Sequence, residues 1–206
     1  MAGDEIAERY GRLLSEIDRW YADCRSAFAE DVACRQGCSE CCRSLFDITL
    51  LDAWFLRYGF KKLPDELRKQ VVLKAEERLQ GLRNIWTELS PPYLLNHRPE
   101  EEWQELMPED DETSCVLLGD DGRCLVYEHR PMTCRLHGLP LVDPDGTVLH
   151  DEWCTLNFPD RSPLEIKELR ADFTRFFREE VSLFRELESI VVKQGFMELD
   201  TFIPLA

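Results

Sequence analysis

The sequence is short of positive charge. Its 206 residues include 25 lysines and arginines against 41 aspartates and glutamates, a formal net charge of −16. Such a field repels phosphate backbones and anionic lipid surfaces, so nucleic acid and membrane are poor candidates as partners. No apolar stretch approaches the length of a membrane span, and the opening MAGDEIAERY carries acids where a secretory leader carries a basic and then an apolar region. A cytoplasmic location is the expectation. Also missing are internal repeats, low-complexity tracts, an obvious flexible linker and a glycine-rich cofactor loop. One domain over residues 1–206 is therefore expected, long enough to bury a core of its own.

What the chain does have is cysteine, nine in all, four of them within CRQGCSECC at 34–42. Reducing compartments disfavour structural disulfides, so a cysteine-rich chain expected there reads as a metal binder or a redox catalyst.

The apolar pattern is mainly helical. Ile6, Tyr10, Leu13, Leu14, Ile17, Trp20, Tyr21, Cys24 and Phe28 recur at helical spacing and predict a first helix over about residues 4 to 31. Thr49 with Asp52 reads as a capping box opening a second helix, which Gly59 can close. Pro64 opens a third, whose stripe runs from Leu67 to Leu89 before Pro91 and Pro92 stop it. Ser162, Pro163 and Glu165 supply the start signals of a last helix. Its expected buried face holds Ile166, Leu169, Phe173, Phe176, Phe177, Val181, Phe184, Leu187 and Val191, with Gly195 at the exit. Between the third and last helices an acidic loop, EEEWQELMPEDDE, leads into a segment rich in Cys, Gly and Pro. There CVLLGDDGRCLVY and LVDPDGTVL each read as a hairpin. The expected fold is mainly α, with long helices framing a small cysteine-rich hairpin and loop segment.

A helix over 34–42 would bring all four sulfurs to one arc, and Gly37 makes a loop an equal alternative. Either conformation crowds thiols that repel one another as thiolates, which a bound cation or cluster relieves. Adjacent Cys41 and Cys42 would close a strained ring on one metal atom; they serve different irons, different sites, or one serves none. Cys115, Cys124, Cys134 and Cys154 occupy the hairpin-rich segment, where small turns need a staple. Clustering of these eight has no packing rationale, whereas Cys24 stands alone on an apolar stripe and reads as a buried hydrophobe.

Three sharper motif readings fail on context. The C-x3-C-x2-C triad of radical S-adenosylmethionine enzymes requires a following barrel of strands and helices, and long helices follow here. Asp143, Asp145, Gly146 and Glu152 echo a calcium loop, but Leu141 would stand at its first ligand position and the flanks are not helical. Cys134 with His137 could form a nucleophile and base, although a cysteine inside a thiol cluster is more commonly a ligand and His137 a hydrogen-bond donor behind one. Pro131 can open a short helix presenting Cys134, and Arg130 and Arg135 can offset charge at the sulfurs or pair surface carboxylates.

Taken together, CRQGCSECC and GRCLVYEHRPMTCRLHG resemble the YkgJ-type cysteine-cluster family, described as a zinc- or iron-chelating domain. The resemblance covers residues 34 to 154: the first four cysteines, the Thr49 to Asp52 helix opening, Cys115, the string from Gly122 to Arg135 and Cys154. It implies eight metal-linked cysteines, Cys34, Cys38, Cys41, Cys42, Cys115, Cys124, Cys134 and Cys154, holding an iron–sulfur cluster, most simply 4Fe–4S, or zinc. Electron transfer, sensing or delivery would suit the former, and an organised surface for a protein partner the latter. A flagellin lysine methylase carries a similar module within a considerably longer chain, which makes a methylase-related enzyme the third alternative.

Overall fold

The computed structural model describes residues 2–35, 37–43, 45–99, 101–102 and 112–206. Most of the acidic loop at 100–112 thus lies outside the described residues. The fold is mainly α. Helix α1, Ala2–Ala27, lays Ile6, Tyr10, Leu13, Leu14 and Ile17 against Phe173, Phe176, Leu183, Phe184 and Leu187 of the last long helix, Phe173–Val191. These stripes form the largest apolar cluster, and ion pairs Arg9–Glu186 and Arg175–Glu16 run along its edge. The first helix ends four residues earlier than its apolar stripe predicts, because the backbone closes into turns in which the amides of Asp31 and Val32 donate to the Phe28 carbonyl.

Helix α2, Leu50–Lys62, begins where expected, with the Thr49 side chain accepting from the Asp52 amide at 3.2 Å. Gly59 does not end it. A Cβ there would stand 2.7 Å from Cβ of His129, so the glycine permits close approach of the 126–129 turn, and the helix continues to Lys62. Helix α3, Asp65–Ile85, buries Val71 and Leu82 and leaves Val72 and Leu73 exposed. Strand β1, Asp47–Thr49, pairs antiparallel with Asp200–Phe202 near the C-terminal end, tying that end to the entry of α2.

In the cysteine-rich segment, residues 115–125 form a tight turn rather than a hairpin of two strands. Its ladder is one bridge, Leu118 to Cys124, flanked by hydrogen bonds from Gly119 N to Arg123 O and from Leu125 N to Leu117 O. The turn has some apolar support, since Val116, Leu117 and Val126 are buried with Ile48, Leu56 and Val71. A short helix α4, Met132–Leu136, follows Pro131 as the sequence suggests. The second hairpin forms from β2, Leu141–Val142, and β3, Val148–His150. The last long helix is therefore α5, and the final strand, Asp200–Phe202, is β4.

Helix α5 starts at Phe173, ten residues later than Ser162-Pro163 predicts. Its first amides are taken by two carboxylates: Asp172 accepts from Arg175 N at 2.9 Å, and Asp143 accepts from Phe173 N at 2.8 Å and Thr174 N at 3.2 Å. Ser162 only closes a local turn with Leu164 N. Leu169, which seemed part of this helix, instead packs with Cys24 and Phe158 in a separate cluster against which Ile166 also rests. Val181 and Val191, expected on the buried face, are 41% and 45% exposed.

Candidate metal centre

After the turn at 28–31 the chain enters the loop that carries the first four cysteines. It is not helical. Gly37 adopts φ +94°, a left-handed conformation that favours glycine, and two tight turns are closed by Cys38 N to Arg35 O at 2.8 Å and Cys42 N to Ser39 O at 2.9 Å. The loop is then zipped to the second cysteine segment. Cys115 N donates to Cys42 O at 2.8 Å, and Arg43 bridges Ser114 beside it. The two cysteine-rich segments, far apart in sequence, meet in space as the sequence reading expects.

Cys134 arrives on α4, whose position is fixed from α2. The buried Asp52 carboxylate accepts the Met132 amide at 2.9 Å and the Tyr10 hydroxyl at 2.6 Å, joining α1, α2 and α4 at one oxygen. Cys154 is hung from the Gly138 carbonyl through its amide at 3.3 Å.

The outcome is a cavity of about 150 Å³ whose lining includes Cys38, Cys41, Cys42, Cys115, Cys124 and Cys134. A smaller one of about 90 Å³ adjoins it and adds Cys34, with Tyr21, while Cys38, Cys41 and Cys134 belong to both. Cys154 stands outside these linings but near enough for the charges of Cys34, Cys41 and Cys38 to act on it. Thus all eight predicted cysteines gather in one region. Cys24 does not: it is 2% exposed and packs with Val32, Leu139, Phe158 and Leu169. All nine thiols are free. Among the described residues no three His, Cys, Asp or Glu side chains stand at ligand distance from one common point.

Burial pushes the thiols of Cys115, Cys124, Cys134 and Cys154 upward, and Cys41 rises through its hydrogen bond with Cys42 and through burial. A thiophilic cation would displace the protons of such thiols on entry, which makes its binding depend on pH. The raised Cys134 thiol also argues against an activated nucleophile there. Burial lowers the pKa of His137, whose ring sits edge-on to Phe46 with centroids 5.6 Å apart.

The two arginines divide their roles. Arg135 is 4% exposed and donates to the Arg130 and Glu128 carbonyls and to Asp18, so it braces the turn before α4, while its charge still reaches Cys124 and it joins the wall of the smaller cavity. Arg130 lines both cavities; one amino group donates to Asp18 at 3.0 Å and the guanidinium lies over Tyr127, while its buried Nε has no partner. An orphaned donor facing a thiol-lined space fits an anionic sulfur centre, as does the all-cysteine donor set.

Two neighbours escape the sequence reading. Asn157, completely buried, donates from Nδ2 to the Cys34 sulfur at 3.3 Å and to the Gly138 carbonyl at 2.7 Å. Tyr21, taken for part of the helical stripe, brings its hydroxyl to the smaller cavity. No spacing rule marks either one. The turn around DPDGT holds no calcium loop: Asp143 caps α5, and Asp145 accepts from Thr147 N at 2.9 Å.

A larger cavity of about 750 Å³ lies on the far side of α4, with His137 common to it and to the cysteine-lined spaces. Its wall includes Asp52 and Glu180, and burial raises both carboxyls, Asp52 to about 6 and Glu180 to about 8.

Among the described residues no helix is long and apolar enough to cross a membrane. No curated protein and no solved structure matches the chain. A family profile does match, over residues 33–155, and its description is "Putative zinc- or iron-chelating domain". That span covers more than half of the chain and contains both cysteine segments with α2, α3 and α4 between or within them; the chain belongs to the CxxCxxCC family of zinc- or iron-chelating domains.

Proposed function

We propose that the protein is a cytoplasmic iron–sulfur protein. Its eight ligands are Cys34, Cys38, Cys41, Cys42, Cys115, Cys124, Cys134 and Cys154, held by a single domain spanning 1–206. The observation that carries this reading is the lining of the 150 Å³ cavity by six cysteines from segments about seventy residues apart in the chain. Thiolate-only ligation suits iron–sulfur chemistry, and four cysteines suffice for a 4Fe–4S cluster. Such a group would supply one-electron chemistry, for electron transfer, sensing or delivery of the cluster itself. The protein's own contribution is to bring the thiols together, bury them, and keep Arg130 beside them to offset negative charge.

A second reading is structural zinc, favoured by the family's description and by the same donor set. Here the metal would staple the 34–42 loop to the 115–125 turn and present a surface to a protein partner. Anaerobic purification separates the two. A brown protein with visible absorbance and acid-labile sulfide supports iron–sulfur; a colourless one carrying zinc and no sulfide overturns it in favour of zinc. A methylase-related activity has less support, and absence of S-adenosylmethionine binding in calorimetry on the metal-loaded protein would remove it.

A further inference from the structure

Among the described residues three buried polar atoms lack a hydrogen bond of good geometry: Arg130 Nε, Arg170 Nε and the Tyr21 hydroxyl, which lies within reach of Cys34. Two of these three residues, Tyr21 and Arg130, line the same small cavity as Cys34. Buried donors are normally satisfied, and those that are not mark places where an acceptor arrives with a ligand.

The Tyr21 hydroxyl stands at a narrow meeting point. A Cβ on Gly138 would lie 2.9 Å from it, 3.3 Å from Asn157 Nδ2 and 3.3 Å from the Cys34 sulfur, so these three groups converge on the space that the glycine leaves open. Gly138 also adopts φ +109°, which disfavours any side chain there. Asn157 is held in place by three contacts: its Oδ1 accepts from Ala33 N at 2.9 Å, and its Nδ2 donates to the Gly138 carbonyl and to the Cys34 sulfur. A thiol sulfur is a weak acceptor and a thiolate a strong one, so donors aimed at Cys34 gain most when its proton is lost.

We propose that Tyr21 is a positioning residue for the metal centre, whose hydroxyl joins the Asn157 amide in donating to the Cys34 sulfur once that sulfur is a metal-bound thiolate. The assignment rests on the reading of Cys34 as a ligand. Packing alone does not call for the oxygen: the ring contributes to the Cys24 and Phe158 cluster and meets Trp20 edge-on, contacts that phenylalanine would retain. Two donors on one sulfur stabilise the thiolate that metal binding requires and make Cys34 electronically distinct from the other cysteines.

The test is Tyr21→Phe, with cobalt(II) as the probe because its bonds to thiolate sulfur absorb in the near ultraviolet. Without metal, the variant should melt at the same temperature as wild type, since the neutral Cys34 thiol is a weak acceptor and little is lost with the hydroxyl. With metal, it should melt lower than loaded wild type, bind cobalt roughly tenfold more weakly, and shift the sulfur-to-cobalt band. A loss confined to the loaded form is not produced by a packing role, which would move both forms together. Equal shifts in the two forms, or unchanged affinity and spectrum, would overturn the proposal while leaving the metal reading intact. Failure of the wild type to bind cobalt at all would remove both.

Discussion

Replacing Asp52 by alanine should unlatch the helix that carries Cys134. In the native protein Asp52 is 2% exposed, and one of its carboxylate oxygens accepts from both the Tyr10 hydroxyl and the Met132 amide. Alanine leaves two buried donors without an acceptor, each costing about 1–3 kcal/mol, and partly offsets this by relieving a desolvated carboxyl. The net expectation is a loss of about 3 kcal/mol in the metal-free protein, together with weaker metal retention because the N-terminus of α4 is no longer held. Asparagine separates charge from geometry, since its carbonyl can accept both bonds. Burial raises the Asp52 carboxyl to about 6 from an ordinary value of 3.8. The folded state therefore favours the protonated form, and the carboxyl's contribution to stability is present below its ordinary value and lost as pH rises through about 6. Asp52→Asn should accordingly be within about 1 kcal/mol of wild type at pH 5 and compare more favourably at pH 8. Urea titrations of the metal-free proteins, with m unchanged, read both effects. An alanine variant within about 0.5 kcal/mol of wild type would refute the latch.

Other outcomes follow from the same packing. Glu180, raised to about 8 mainly by burial and then by Asp52, contributes stability that is lost between about pH 4.5 and 8. Glu180→Gln should flatten that decline and stabilise the protein by about 1–3 kcal/mol at pH 8.5, as read by thermal melts across pH; a decline as steep as in wild type would contradict it. Cys24→Ala should cost about 1 kcal/mol and leave metal content unchanged, whereas Cys42→Ser should lower it, both measured as metal per chain after anaerobic purification. Metal equal to wild type in Cys42→Ser would show that Cys42 only packs. Anaerobic chelation should raise hydrogen exchange in the 115–125 turn well above that at Leu79 or Phe177, and uniform loss of protection would show that the metal holds the whole core.

The helical frame was legible because it rests on local rules. The stripe from Ile6 to Ile17 and the Thr49 cap act within a few residues, and both stand where the pattern put them. Boundaries failed where a distant side chain decided them. The start of α5 is set by Asp143, thirty residues upstream, which no local signal at Ser162 could reveal. Gly59 looked like a stop because glycine leaves helices readily, yet here the missing side chain makes room for His129. At the centre, cysteine spacing identified which thiols gather, since few other forces cluster eight of them. Their neighbours were hidden: Asn157 and Tyr21 reach Cys34 through tertiary packing, and Arg135 proves to be a brace as well as a charge beside Cys124, because its donors go to Asp18 and two carbonyls.

The most direct test of an eight-thiol centre is a cysteine-by-cysteine alkylation map of anaerobically isolated protein, read by mass spectrometry before and after chelation under native conditions. Cys34, Cys38, Cys41, Cys42, Cys115, Cys124, Cys134 and Cys154 should be protected while metal is bound and become reactive when it is removed. Cys24 should stay unreactive in both states through burial. Equal labelling of those eight cysteines with and without chelator would contradict the claim that they hold the metal.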